Sequence, residues 1–116
     1  MEISNLVYTK LGFITKTKPV GKMADSSLKT FSILISGKVQ GVFYRQSAKE
    51  KALQLGITGS IKNLPGKQVL VIASGSSEKL QELIAWCKQG PPRAFVADIE
   101  TTDLPYQLFA GFEIIR

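Results

Sequence analysis

The residues best suited to chemistry in this 116-residue chain lie in one run, Gly37-Lys38-Val39-Gln40-Gly41-Val42-Phe43-Tyr44-Arg45. Its glycines let the backbone turn N–H groups inward as a nest. The run ends where a helical pattern starts, with Tyr44, Ala48, Ala52 and Leu55 spaced by four, four and three residues. The first N–H groups of a helix have no intrahelical partner, and the helix dipole adds partial positive charge there. Such a loop can hold an anion. Arg45 falls in the expected first helical turn, where a cation is disfavoured by up to roughly 1 kcal/mol. A bound anion turns that conflict into a shared interaction, and the forked, permanently charged guanidinium matches phosphate geometry. The residues by themselves also fit a glycine-shaped turn followed by a solvated arginine, and both readings stay open on this ground.

Composition narrows the chemistry. The chain has one cysteine and no histidine. An intrachain disulfide, an imidazole metal site and a histidine general base are therefore excluded. Hydrophobic residues make up 44 %, enough for one modest core, so one domain is expected. No apolar run approaches a membrane span. A lone cysteine without a secretory signal favours a reducing, cytoplasmic setting. A net charge of +6 suits anionic partners in general, whether phosphorylated metabolites, nucleic acid or an acidic membrane surface.

The elements that must carry the loop follow from periodicity. Phe31, Ile33 and Ile35 alternate in a strand from Phe31 to Gly37, and Arg45–Leu55 forms a helix that stops at Gly56. Ile57–Asn63 and Lys67–Ala73 read as a hairpin. Ser74-Gly75-Ser76-Ser77 reads as a loop that supplies an N-cap at Ser76 or Ser77; a second anion site there is the weaker alternative. Leu80, Leu83, Ile84 and Cys87 make the apolar stripe of a second helix, which ends at Gly90-Pro91-Pro92. Cys87 is therefore expected in the core and Trp86 between helix and sheet. Phe95, Ala97 and Ile99 alternate with Asp98 and Glu100, whose carboxylates suit a solvated outer face. A short strand closes the chain at Gly111–Ile115. The order β-α-β-β-α-β with an added strand is expected to give an α+β, split βαβ sandwich of the ferredoxin-like type, an antiparallel sheet with two helices on one face. Residues 1–29 read as an N-terminal extension, either disordered or a leader upstream of a second start at Met23, and 30–116 as the domain. Within that extension, Leu6, Val7, Tyr8, Leu11, Phe13 and Ile14 form an apolar patch.

Gly37–Arg45 closely resembles the signature of the acylphosphatase family, Gly-x-Val-Gln-Gly-Val-x-(Phe/Tyr)-Arg. A second signature of that family, a strand ending in asparagine and followed by a hairpin and a valine, is matched by Gly59–Asn63 and Leu64–Val69. The resemblance covers Phe31 to Arg116. It implies hydrolysis of the carboxyl–phosphate bond of a small-molecule acyl phosphate by a metal-independent, monomeric enzyme that needs no cofactor. Residue by residue, it implies that Arg45 binds the substrate phosphate. Backbone amides of Gln40, Gly41, Val42, Phe43, Tyr44 and Arg45 would surround the same group, and Asn63 would orient the attacking water. Taken alone, Asn63 equally suits a strand-end residue bonded to local backbone. This chain departs from the family pattern at Gly66-Lys67, where many members carry Asp-Gly or Asn-Gly; Gly66 as first central residue would fit a type II′ turn. Ser60 replaces a bulky aromatic of some members. Lys38 and Lys67 could add positive potential near the loop.

The chemistry is feasible without histidine. A carboxylate leaving group needs no strong acid, so the task is to bind the phosphoryl group, offset its charge and place a water in line. Donor-rich backbone and one arginine serve the first two needs, and an amide side chain, donor and acceptor at once, serves the third. The alternative is a non-catalytic phosphate- or RNA-binding module of the same fold. The strands lack an aromatic-rich RNA-binding pattern, which disfavours nucleic acid. Binding alone gives no evident need for a water-positioning amide.

Overall fold

The computed structural model describes residues 27–116; the apolar patch and all but the last three residues of the extension read at 1–29 lie outside the described residues. The elements are β1 (Leu28–Lys38), α1 (Tyr44–Gln54), β2 (Thr58–Leu64), β3 (Gln68–Ser76), α2 (Ser77–Gln89), β4 (Phe95–Leu104) and β5 (Phe112–Ile115). They form one sheet in the order β4-β1-β3-β2-β5. Phe31, Ile33 and Ile35 of β1, Val69, Val71 and Ala73 of β3, and Ile61 of β2 point to one face. There they meet Tyr44, Ala48 and Ala52 of α1 and Leu80, Leu83, Ile84 and Cys87 of α2. Each large aliphatic side chain buried in this layer contributes about 1.5–3 kcal/mol. Small Ala48 and Ala52 leave Tyr44 as the one bulky core residue of α1. This is the expected two-layer α+β sandwich, with Cys87 in the core.

The sheet is mixed rather than wholly antiparallel. β1 pairs antiparallel with β3 and β4, and β2 with β3, but β5 lies parallel to β2. Topology dictates the direction. The chain leaves β4 at Leu104, opposite Thr30, crosses that end of the sheet and re-enters at Phe112, opposite Gly59. A strand that returns reversed from β4 runs in the direction of β2. The crossing is pinned where the Gln107 N–H donates to Thr30 Oγ1 at 2.9 Å, and Thr30 shares a buried 2.6 Å hydrogen bond with Ser74 Oγ. Ser74 and Ser76 thus belong to β3, which runs past the expected end at Ala73.

Three further expectations shift. The alternation in β4 changes phase because the register skips at Ala97: Ser36 faces Asp98, but Gly37 faces Val96. This bulge turns Val96 and Ile99 toward the core and leaves Phe95 exposed, where strict alternation had Phe95, Ala97 and Ile99 together. Gly37 permits it: at φ 130°, a Cβ there would strike the Phe95 carbonyl oxygen and lie 2.7 Å from the Ala97 nitrogen. The β2–β3 loop is Pro65-Gly66-Lys67, with positive φ at both Gly66 (83°) and Lys67 (65°), which is not the two-residue type II′ turn. Proline followed by a glycine at positive φ suits a type II turn instead. Trp86 packs on the other helix, its ring centroid 5.4 Å from that of Tyr44.

Candidate active site

The loop between β1 and α1 is held from below. Val39 and Val42 are buried in the core, so the intervening Gln40 and Gly41 are displayed between two apolar anchors. Gly41 has φ 75°. Phe43, the N-cap of α1, is also left-handed, at φ 63° and ψ 23°, although it is not glycine and its side chain is 74 % exposed. That conformation costs roughly 1–2 kcal/mol for an L-residue. The helix it starts has no side-chain cap and no acidic residue in its first turn. Its first intrahelical bond runs from the Ser47 N–H to the Phe43 carbonyl at 3.0 Å, which leaves the amides before Ser47 without helical acceptors. Arg45 sits at the second helical position, one residue later than an Arg45 start would place it.

A cleft of about 440 Å³ opens over this turn. Of the residues singled out by sequence, Gln40, Gly41, Phe43, Tyr44, Arg45 and Asn63 all line it. Val42 does not; its side chain serves the core. Asn63 arrives from β2, opposite Val69 of β3. Its Oδ1 is buried and has no hydrogen-bond partner among the described residues. An unmet buried acceptor costs about 1–3 kcal/mol, and Asn63 lines the cleft together with Arg45.

The Tyr44 side chain points away into the core. Its hydroxyl donates to the Cys87 carbonyl at 2.7 Å. Burial, with a smaller effect of neighbouring Cys87, holds that hydroxyl well above the usual phenol range. Burial likewise pushes the Cys87 thiol up to about 12, against a smaller opposing effect of the Tyr44 hydrogen bond. Neither group can act as an ionised nucleophile near neutral pH. Lys38 and Lys67 are exposed and do not line the cleft.

Sequence reasoning missed several participants. Gln46, Ile114 and Arg116 also line the cleft. The parallel pairing of Lys62 with Ile115 brings the end of β5 beside Asn63. A four-residue strand gives no directional signal in sequence, so this approach was hidden. The Gln40 side chain is the other omission. Its Nε2 donates to the Leu64 carbonyl at 3.0 Å and to the Gln68 carbonyl at 2.8 Å. Gln68 in turn donates from its side chain to Ser36 Oγ at 2.9 Å.

The uncapped first turn of α1, Arg45 and Asn63 thus line one cleft on a ferredoxin-like scaffold. The acylphosphatase family model matches residues 31–114. An acylphosphatase from Methylococcus capsulatus is 40 % identical over 90 residues, covering 77 % of this chain and 98 % of that protein. One from Acaryochloris marina is 45 % identical over 83 residues, covering 72 % and 89 %. The structure of an acylphosphatase from Coxiella burnetii superposes with a TM-score of 0.74 at 33 % identity, covering 76 % of this chain and 93 % of that one. The chain belongs to the acylphosphatase family, and with it to the acyl phosphate hydrolases. Among the described residues, no helix is long and apolar enough to cross a membrane.

Proposed function

We propose that this protein hydrolyses the carboxyl–phosphate bond of acyl phosphates, releasing a carboxylate and inorganic phosphate. The observation that carries this reading is the convergence of Arg45, the open N-terminus of α1 and Asn63, whose buried Oδ1 has no hydrogen-bond partner among the described residues, on one cleft. The phosphoryl oxygens would accept from the Arg45 guanidinium and the loop amides, which meet the charge that spreads over those oxygens in the transition state. Asn63 Oδ1 would accept from the attacking water and fix it in line with the departing carboxylate. The water's proton goes to a phosphate oxygen, and the carboxylate leaves as the anion without a protein acid. The buried, protonated Cys87 and Tyr44 take no part, and the chain's lack of histidine is no obstacle. The catalytic unit on this reading is residues 30–116. A single, buried thiol suits a reducing cytoplasm.

The test is hydrolysis of benzoyl phosphate in the presence of a chelator by wild type, Arg45→Ala and Asn63→Ala. Turnover by wild type that both folded variants lose supports the reading and both assignments. A folded wild type without turnover would overturn it and favour an anion-binding module.

A further inference from the structure

The two parts of the site come from elements far apart in sequence. Arg45 stands on the loop and first turn of α1, and Asn63 near the end of β2. Their separation is set by whatever joins loop to hairpin. Among the described residues, the side-chain hydrogen bonds that do so are the two from Gln40. Leu64 and Gln68 are the closing pair of the β2–β3 hairpin, and Gln40 spends both amide hydrogens on their carbonyls. Leu64 directly follows Asn63. The Gln68 side chain then ties the same hairpin residue to Ser36 of β1, just before the loop. The result is a closed ring from β1 through the loop to the hairpin and back.

We infer that the Gln40 side chain is a positioning residue: it fixes Asn63 relative to the anion loop, so its influence on turnover passes through Asn63. This rests on the acyl phosphate hydrolase reading and assigns to the Gln40 side chain a role separate from that of its backbone amide. A nearly isosteric side chain without the donors removes the tether but fills the space. A displacement of about 1 Å of a catalytic group can cost on the order of 10²-fold in rate.

The experiment is a double-mutant cycle of Gln40→Met and Asn63→Ala on the full chain, read by steady-state hydrolysis of benzoyl phosphate and by competitive inhibition with inorganic phosphate. Thermal unfolding checks that each variant is folded. Gln40→Met is expected to lower kcat about 10- to 100-fold and to move the phosphate inhibition constant less than about 3-fold. In the Asn63→Ala background the same substitution should cost less than about 2-fold. Equal losses in both backgrounds, or full kcat in Gln40→Met, would overturn the inference while leaving the hydrolase reading intact. Gln40→Asn keeps the donors but shortens their reach, and serves if the methionine variant does not fold. It should show the same coupling at smaller amplitude, and additive losses would count against the inference. No turnover by folded wild type would bring down both the hydrolase reading and this inference.

Discussion

The two helices begin in opposite ways. Helix α2 starts conventionally: Ser76 is extended at φ −68° and ψ 149°, its Oγ accepts from the Lys79 N–H at 3.3 Å, and Glu78 lies in the first turn. Helix α1 starts with an exposed phenylalanine in a left-handed conformation, no side-chain acceptor and no acid. Its first turn instead carries a cation, Arg45. In α2 the Lys79 N–H is met by the Ser76 cap and the Ser77 N–H by the Ser27 carbonyl at 3.0 Å; α1 has no side-chain cap beside its cleft. Both pack on the same face of one sheet, α1 through Tyr44, Ala48 and Ala52 and α2 through Leu80, Leu83, Ile84 and Cys87. What differs is the acceptor that completes each turn: a serine in α2, and on our reading a phosphoryl group in α1.

The contrast can be broken at several points. Arg45→Ala should have the largest effect, a loss of about 10²–10⁵-fold in kcat/KM on benzoyl phosphate, as when arginine fingers or oxyanion donors are removed. Asn63→Ala should lower kcat by about 10²–10³-fold, with inhibition by inorganic phosphate little changed, because its partner is water. Gln46→Glu gives α1 the acidic first turn that α2 has, directly on the cleft; inhibition by inorganic phosphate should weaken about 10-fold, and added salt should narrow the gap. Ser76→Ala should leave kinetics unchanged and cost about 1 kcal/mol in chemical denaturation, the worth of an ordinary cap. Phe43→Gly should have the smallest effect on stability, a gain of up to about 1 kcal/mol as the left-handed strain is relieved, partly offset by the greater freedom of glycine when unfolded.

The same contrast marks how far the sequence could be read. The α2 N-terminus was legible because a serine three residues before an amide, followed by an acid, is a local code. So was the α1 stop: Gly56 and Ile57 donate back to Leu53 and Ala52 at 3.2 and 2.9 Å, a closure that depends on a glycine at one position. The Gly37–Arg45 run and Asn63 were legible as types and spacing. What was hidden depends on distant partners. The bulge at Ala97 follows from how closely Gly37 approaches the Phe95 carbonyl on a strand some sixty residues away. The parallel course of β5 follows from the route across the sheet end, not from its four residues. The Gln40 tether spans 24 and 28 residues to two carbonyls, and backbone oxygens carry no side-chain signature. Phe43 in a left-handed conformation contradicts local preference, as expected where a site rather than the helix sets the backbone.

The buried Cys87 has a practical consequence. Its side chain is fully covered, and burial raises the thiol to about 12. An alkylating reagent at neutral pH therefore meets neither access nor thiolate while the domain is closed. The sequence holds no other cysteine. The rate of Cys87 modification is thus a built-in clock for opening of the α2–sheet interface. The same group links stability to alkali. The unfolded thiol ionises near 9 and the folded one only near 12, so the folded state loses stability as pH rises from about 9 to about 12, and labelling should quicken over the same range.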